Sequence, residues 1–362
     1  AWSCNNITIQ FCESYNNSSG SGGGCDGLGF DFDGGITNSL MQYNYSHDND
    51  GAGYLLGQYD YARPWSNNTV RYNISENDGR TNAGGITLFK GPGTTMEGVK
   101  IYHNTVYLSP SSANAGLAAL TFTNWNTGIN GVEVYNNIFQ TTGSVPFMNV
   151  PTGYSAYFAG NLYWPGSGSF KIQYQGTTYT NLNSWRTATG NEKVGTTSTG
   201  IVTDPLLTNA GSGIVVYPKA PDQLNAYKLA GNSPAINTGL NLMTLFSINT
   251  GSHDFFNNTA PNGIAPDIGA YESNVVTSLT NYNEHKSTLY PNPVEMGNDL
   301  QITGNDLYSI ELFTITGTSV WKKENINSSS FSISTRNFAI GIYFLRLTDN
   351  SGYQFVDKLL IE

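Results

Sequence analysis

Carboxylate side chains are concentrated in one short part of this 362-residue chain. Residues 26–78 contain eight of them, whereas only Arg63 and Arg71 carry a positive charge in that segment. The eight are Asp26, Asp31, Asp33, Asp48, Asp50, Asp60, Glu76 and Asp78. His47 lies among them. Acids and an imidazole in this arrangement have the chemistry to transfer protons or to hold a cation.

Three interpretations are compatible with the acidic segment. Glycoside hydrolysis needs two carboxylates about 5–9.5 Å apart, and Asp31 and Asp33 on one strand would reach the lower part of that range. Calcium binding needs several oxygen ligands at about 2.3–2.6 Å. In a lyase, such a cation neutralises a uronate carboxylate while a base removes the adjacent proton. In the third interpretation, Asp and Asn only cap turns.

Candidate residues follow for each role. The candidate catalytic residues are Asp31, Asp33, His47, Asp50, Glu76, Asp78 and Arg80. The candidate calcium ligands are Asp31, Asp33, Asp48 and Asp50. The candidate sugar-binding residues are Trp65, Arg71, Tyr102 and Tyr135. An exposed aromatic ring can stack on a sugar face, although the same rings could instead cover a protein wall. Trp125 and Trp164 also fall in turns.

A short repeat predicts the elements that position these residues. An apolar strand, an asparagine and another apolar residue recur, for example as Val70-Arg71-Tyr72-Asn73-Ile74 and Val134-Tyr135-Asn136-Asn137-Ile138. The recurrent asparagines are Asn44, Asn73, Asn104, Asn137 and Asn161, at steps of 29, 31, 33 and 24 residues. Variable steps with two or more short strands per step are typical of a β-solenoid.

In a solenoid the recurrent asparagines gain a structural role. Asparagine tolerates the left-handed backbone of a tight corner. Its amide can also bond the same amide in the coils above and below, about 4.8 Å away. We therefore expect these five asparagines to form one internal ladder.

Alternation along the strands assigns their faces. Val99 and Ile101 are expected to point inward, as are Phe30 and Phe32. Lys100 and Glu133 would then point outward in register and pair between coils. Arg71, Tyr102 and Tyr135 would form an outward column, and the outward positions of Asp31 and Asp33 would place these carboxylates on one flank. We expect Asp31, Asp33, His47, Asp50, Glu76 and Asp78 to share one groove.

The repeat region resembles the right-handed parallel β-helix proteins of the pectate-lyase-like group over residues 1–275. The resemblance is carried by stretches such as Gly29-Phe30-Asp31-Phe32-Asp33-Gly34-Gly35 and Gln42-Tyr43-Asn44-Tyr45-Ser46-His47. It implies a secreted β-helix that acts on or binds polysaccharide. The Gly-His-Gly and Arg-Ile-Lys segments of polygalacturonase-like helices are missing from the sequence, so no complete active site carries over. Pectate lyases usually supply an outward Arg or Lys as the base, and Arg80 and Lys90 are the nearby basic residues.

The pattern changes in the second half of the chain. Between about residues 165 and 275 the spacing degrades, which predicts terminal coils and a cap, because an open solenoid end would expose strand edges and core. Residues 276–286 are polar and predict a linker. Residues 287–362 contain short alternating strands and predict a small immunoglobulin-like β-sandwich. The last strand, Phe355–Ile361, is apolar for an exposed edge, so we expect it to be buried against a partner or to pair with one.

This tail resembles the type A C-terminal sorting domain of the type IX secretion system of Bacteroidetes. The residues that carry the resemblance are Tyr290, Pro291, Asn292, Pro293, Gly341, Tyr343 and Lys358. The resemblance implies binding to the outer-membrane shuttle barrel and the translocon of that system. It also implies export through the periplasm and across the outer membrane to the cell surface or the extracellular space, usually with cleavage of the tail.

Composition narrows the class of protein further. The 41 glycines, 43 asparagines and 23 tyrosines favour turns and strands over helices. A net charge of −10 makes nucleic acid an unexpected partner. The sequence has no run of 18 apolar residues, so it does not predict a transmembrane helix. We expect the native chain to begin earlier, with a signal peptide and further coils.

Cysteine usage leaves three possibilities open. The three cysteines are Cys4, Cys12 and Cys25, and an odd number allows one disulfide and a free thiol, or a partner outside this segment. Three small buried residues are equally compatible with the sequence.

The sequence therefore predicts an all-β protein, a right-handed parallel β-helix followed by a sandwich. Its expected function is that of a type IX cargo whose helix binds or degrades polysaccharide, with calcium as a possible cofactor. The alternative is a non-catalytic surface adhesin or structural cargo.

Overall fold

The computed structural model describes residues 1–20, 26–123, 128–214, 223–274, 287–350 and 354–362. The chain divides into two compact units, residues 1–276 and 277–362. Cys25, Trp125 and the predicted linker 276–286 lie outside the described residues. The described Cys4 and Cys12 are not joined in a disulfide.

The first unit is a parallel β-solenoid, built from three sheets to which successive coils contribute one strand each. The first sheet contains Thr8–Gln10, Leu40–Gln42, Thr69–Arg71, Val99–Tyr102, Val132–Tyr135 and Ala156–Ala159. The second contains Glu13–Tyr15, Tyr45–His47, Ile74–Glu76, Thr105–Leu108, Ile138–Thr141, Leu162–Trp164 and Ile201–Val202. The third contains Phe30–Phe32, Tyr54–Gln58, Ile86–Lys90, Leu120–Phe122, Met148–Val150, Ile172–Tyr174 and an antiparallel Thr177–Tyr179.

Shorter elements complete this unit. They are the paired strands Trp65–Ser66 and Met96–Glu97, the hairpin strands Lys193–Val194 and Thr197–Ser198, the α-helices Leu182–Thr189 and Leu242–Phe246, and the 3-10 helix Asn225–Tyr227. None of the helices in the described ranges has the length and apolar character needed to cross a bilayer.

Side chains alternate between core and outer face as the sequence predicts. Val99 pairs with Val132 and Ile101 with Val134 on adjacent coils, and all four are buried in the core. Phe32 is also fully buried, while Phe30 packs at the edge of the core. Lys100 and Glu133 are register partners on the outer face, but they form no ion pair, contrary to the expected pairing. Each coil thus presents a predictable set of outward residues.

The five recurrent asparagines form the predicted ladder. Backbone N–H and Nδ2 of each of the first four donate to Oδ1 of the next asparagine at 2.9–3.1 Å. Each Nδ2 also donates to a backbone carbonyl one coil before, as Asn104 Nδ2 does to Val70 O at 3.0 Å. Because the amide satisfies polar backbone groups inside the wall, it replaces hydrogen bonds that the corner would lose.

The left-handed backbone at this corner belongs to a different residue than expected. The residues that precede the ladder asparagines have positive φ, including Tyr43 (55°), Tyr72 (49°) and His103 (53°). The asparagines themselves do not. The ladder side chain must point into the wall to reach the next coil, so the reversal of direction falls on the residue before it.

The predicted cap covers more than the end of the solenoid. Trp185 of the Leu182–Thr189 helix closes the last coils, with its ring 5.3 Å from Phe158 and 5.9 Å from Tyr174. Downstream, residues 205–214 and 223–274 also fold back over the outer faces of the first and second sheets. Leu240 N donates to Asn136 Oδ1 at 2.9 Å, and Ala270 N to Thr105 Oγ1 at 3.0 Å.

The second unit is an antiparallel sheet folded into a sandwich-like core. Its strands are Thr288–Tyr290, Asp299–Thr314, Ser319–Lys323, Ser328–Ser334, Gly341–Asp349 and Gln354–Ile361, with a 3-10 helix at Thr335–Asn337. The first half of the long Asp299–Thr314 strand pairs with Ser328–Ser334, and its second half with Gly341–Asp349. Irregular register in both pairings lets one strand serve both halves of the core.

Candidate functional site

Asp31 and Asp33 lie at the start of the third sheet. Phe30 stacks on Tyr54 of the next coil, with ring centroids 5.4 Å apart, and Phe32 is fully buried. The alternation places Asp31 on the outer face, in register with Leu55. Asp33 follows the strand two residues later, so the two Cα atoms are about 6.5–7 Å apart. The structure therefore brings these two carboxylates together on one flank.

The electrostatics of the two carboxyl groups differ. Burial raises the pKa of Asp31 to about 7, with further contributions from the charge of Asp33 and, in the opposite direction, from the ammonium of Ala1. Oδ1 of Asp31 is buried and has no hydrogen-bond partner among the described residues. Asp33, in contrast, accepts a hydrogen bond from Gly34 N at 2.9 Å and lies close to the side chain of Tyr59.

An apolar cluster borders this pair on the next coils. Leu55, Ala52 and Phe89 are buried there, and Tyr59 packs on the ring of Phe89 at 5.3 Å. A Cβ at Gly57 would lie 2.5 Å from Cε1 of Phe89, so only glycine leaves room for that ring. Sequence reasoning missed Tyr59. The feature that could have revealed it is the pairing of Phe32 with Leu56. This pairing brings the end of the neighbouring strand Tyr54–Gln58 beside Asp33.

Asp50 and Asp78 lie at turns between the second and third sheets. Asn17, Asn49 and Asp78 form a second ladder, in which Asn49 Nδ2 donates to Asp78 Oδ1 at 2.8 Å. Asp78 is fully buried, and this burial raises its pKa to about 7. Asp50 Oδ2 accepts from Ser19 N at 2.8 Å. Both carboxylates act as turn caps in this arrangement, the third interpretation of the acidic segment.

His47 and Glu76 lie on the second sheet as direct register partners. His47 stacks between Tyr15 and Tyr45, with ring centroids 4.8 and 4.4 Å away. Its Nδ1 lies 2.9 Å from Asp48 Oδ2 and its Nε2 lies 3.1 Å from Glu13 Oε1. Burial lowers the pKa of His47, but the hydrogen bonds to both carboxylates raise it more, so the net shift is upward.

Glu76 is covered by the segment that folds back over the solenoid. Its Oε2 accepts from the hydroxyl of Tyr45 at 2.9 Å and from Gly213 N at 3.1 Å. Arg80 lies at the neighbouring turn, where Nη2 donates to Ser109 O at 3.0 Å. The six acidic and imidazole residues therefore occupy two sheets and the turns between them. The expected single groove does not form.

The predicted sugar-binding aromatics are buried. Trp65 is fully enclosed in the core, so the expectation of an exposed indole there is wrong. Arg71, Tyr102 and Tyr135 do align as one outer column. However, the ring of Phe246 stacks on Tyr135 at 4.5 Å, and only Arg71 of the column remains partly exposed. Trp164 is also packed in an apolar cluster.

The candidate calcium ligands do not converge. Asp48 binds His47, and Asp50 caps Ser19, whereas Asp31 and Asp33 lie on the third sheet. Within the described ranges, no three His, Cys, Asp or Glu side chains come together in a way that could hold a metal ion. The residues present therefore do not fit the expected calcium site.

The predicted sorting residues have different positions in the second unit. Tyr343 is buried, and its hydroxyl donates to Ala339 O at 2.8 Å. Tyr290 and Lys358 are exposed. Pro291 and Pro293 flank Asn292, and Gly341 begins the strand that contains Tyr343.

The last strand is less open than expected. Asn292 Nδ2 donates to Lys358 O at 2.8 Å, and Asn292 Oδ1 accepts from Leu360 N at 3.0 Å. Val294 also pairs with Ile361. The Asn292–Val294 segment thus covers the edge of the strand from Lys358 onward. The hydrogen bonds that a partner strand would form there are already made within the domain.

Comparisons with known proteins identify different parts of the chain. Residues 288–362 match the model of the secretion system C-terminal sorting domain. A separate similarity is to the lacto-N-biosidase of Bifidobacterium longum subsp. longum, which is 34% identical over 171 residues. That alignment covers 42% of this chain and 10% of the other protein, so the chain matches about a tenth of the relative's length.

Both the family match and the fold of the second unit agree with the resemblance seen in the tail. Type IX sorting domains occur on cargo proteins of Bacteroidetes, which implies that origin for this chain. Residues 288–362 are therefore a secretion system C-terminal sorting domain, which marks the protein for type IX export to the cell surface or the extracellular space.

Proposed function

We propose that the solenoid of this type IX cargo hydrolyses a glycan, with Asp31 and Asp33 as its two reacting carboxyl groups. The observation that carries the proposal is the pairing of these groups on one flank, where burial raises the pKa of Asp31 to about 7. Two neighbouring carboxyl groups in environments that separate their protonation are the usual arrangement of a glycosidase.

The roles follow from the surroundings of each group. Asp31, which keeps a large protonated fraction at neutral pH because its pKa is about 7, would donate its proton to the glycosidic oxygen as the C–O bond breaks. Asp33, hydrogen-bonded to Gly34 N and next to Tyr59, would attack the anomeric carbon. Water would then cleave the glycosyl intermediate, returning its proton to Asp31. We assign direct attack because two carboxyl groups two residues apart on one face can approach to the lower part of the range of about 5–9.5 Å, where a retaining pair lies.

The partial similarity to a lacto-N-biosidase, by its name a glycosidase, supports carbohydrate as the substrate class. The neighbouring Phe89 and Tyr59 supply an aromatic border that could contact a sugar ring.

A glycan panel tests this proposal. The wild type, Asp31→Asn and Asp33→Asn are assayed for new reducing ends and for unsaturated uronate absorbance. Glu133→Gln, on the outer face of the first sheet, is the matched control. We expect reducing ends from the wild type and the control and a loss of at least 10³-fold in both Asp variants. The wild-type rate should fall as the pH rises above about 7, because Asp31 then loses the proton that it must donate.

Other outcomes separate the alternatives. Unsaturated products would show that the reaction is a lyase elimination and not a hydrolysis. Glycan binding without turnover, with the same affinity in the wild type and all variants, would support the non-catalytic adhesin. Full activity in Asp31→Asn and Asp33→Asn would exclude this pair as the site.

A further inference from the structure

A second concave surface lies on the first sheet, around the one partly exposed member of the outward column. It is a pocket of about 340 Å³ beside Arg71. Its other lining residues include Asn38, Ser39, Asn67, Thr69 and Asn249. None of the residues that line it is acidic, although the whole chain carries a net charge of −10.

The guanidinium of Arg71 is held in place by neutral groups. Nε donates to Gln42 Oε1 at 2.9 Å, and Nη1 donates to Asn249 O at 3.0 Å. Tyr102 Oη lies 3.5 Å from Nη1. Arg71 forms no ion pair with any described residue. Its positive charge is thus oriented by the protein but not neutralised by it.

A second cation lies at the border of the pocket. Thr69 is the register partner of Lys100 on the next coil, and Lys100 has no ion pair among the described residues either. The two cations lie on adjacent strands, offset by two residues along the sheet, and together they raise the local potential above that of the surrounding acidic surface. The hydroxyl of Thr69 and the side-chain amides of Asn38 and Asn67 also line the pocket. These neutral groups can both donate hydrogen bonds to sugar hydroxyls and accept hydrogen bonds from them.

We propose that the pocket around Arg71 binds the oxyanion of an acidic sugar. This inference rests on the proposed action on glycans and names a charge class for part of the ligand. The shared chemistry is a carboxylate or sulfate ester carried on a sugar ring. A guanidinium fixed by neutral acceptors keeps its remaining N–H groups available for such an anion.

Calorimetric titration separates the two possible oxyanions. The probes are tri-galacturonic acid and its methyl ester, and a sulfated disaccharide with its unsulfated parent. The wild type is expected to bind one acidic probe at least tenfold more tightly than its neutral counterpart. That preference should shrink as salt is raised, because exposed charges are screened.

Three variants localise the preference. Arg71→Gln should abolish it. Asn67→Asp should abolish it without touching the contacts of Arg71, since it places a negative charge in the pocket. Asn67 is exposed at a φ of 58°, a conformation that Asp tolerates. Lys171→Gln removes a positive charge outside the pocket and should leave the preference unchanged.

Equal wild-type affinity for acidic and neutral probes, or a preference retained in both Arg71→Gln and Asn67→Asp, would overturn the assignment. Its failure is distinguishable from that of the proposed hydrolysis. A wild type that prefers the acidic probe but turns over no glycan contradicts only the hydrolysis. A wild type that hydrolyses glycans without any acidic preference contradicts only the pocket.

Discussion

Oδ1 of Asn104 accepts two hydrogen bonds from Asn73, one from its backbone N–H and one from its side-chain amide, both at 3.0 Å. Asn104 in turn donates both of its own groups to Asn137 at 2.9 Å. One side chain therefore joins three coils. Asn73, Asn104 and Asn137 are all buried, so water cannot replace these hydrogen bonds.

Replacement of Asn104 is expected to weaken the whole solenoid. Asn104→Ala leaves the buried backbone N–H of Asn73 without its acceptor and removes the Nδ2 donor to the carbonyls of Val70 and Tyr102. The free energy of unfolding should fall by about 2–4 kcal/mol. Asn104→Asp should cost at least as much, because a carboxylate oxygen would face the carbonyls of Val70 and Tyr102. Thermal and urea unfolding measure both effects.

The matched control is Asn183→Asp on the exposed face of the Leu182–Thr189 helix. It makes the same chemical change beside Arg186 and should alter the unfolding free energy by less than about 0.5 kcal/mol. Equal effects at positions 104 and 183 would contradict a stabilising ladder.

His47 should make stability depend on pH. Its pKa is raised in the folded state, so its stabilising contribution is complete below the unfolded pKa of about 6.5 and is lost as the pH rises through the folded value. His47→Gln is expected to lower the melting temperature more at pH 5.5 than at pH 8.5. The difference in unfolding free energy should be about 1.5–3 kcal/mol, typical of hydrogen bonds to charged groups.

His253→Gln provides the comparison for that measurement, because His253 is exposed and bonds only Ser252 through its ring. Its effect on stability should be small, as is usual for an exposed side chain away from the core. A destabilisation by His47→Gln that grows toward alkaline pH would show that the imidazole is held neutral between Glu13 and Asp48.

Tyr135 is expected to act in packing. Tyr135→Ala removes the ring on which Phe246 stacks and should destabilise the first unit by about 2–4 kcal/mol, while the affinity for any glycan ligand stays unchanged. Differential scanning calorimetry and glycan titration on one preparation measure both quantities. Tyr61→Ala, at a fully exposed ring, is the stability control. Loss of glycan affinity at unchanged stability would instead support the predicted sugar-binding column.

Deletion of residues 287–362 should separate folding from export. The solenoid and the sorting domain have separate hydrophobic cores, so the truncated chain is expected to fold but to remain in the periplasm. Cell fractionation and protease accessibility report its location. Fusion of residues 287–362 to an unrelated soluble reporter should export that reporter. Normal surface delivery of the truncated chain would contradict the role of the sorting domain.

The tail and the wall of the solenoid were predictable from sequence for local reasons. Strand alternation and a recurring asparagine specify which side chains face inward, since parallel coils repeat the same environment every 24–33 residues. The Tyr290-Pro291-Asn292-Pro293 opening and the Gly341 strand likewise identified a sorting domain that the family model confirms. The left-handed residue at each corner was misplaced by one position, because the pattern shows the corner but not which residue turns.

The accessibility of the outward residues was decided by tertiary structure alone. Tyr135 and Glu76 sit on outer faces as predicted, yet Phe246 and Gly213, more than 100 residues later in the chain, cover them. Asp31 and Asp33 remained together because they are two residues apart at the end of one strand, whereas His47 and Asp78 were separated from them by the turn between two sheets. By itself, the sequence determined the coil, its ladder and its export signal through short-range repetition. Which carboxylates and aromatics meet a ligand depends on long-range contacts that leave no periodic signal.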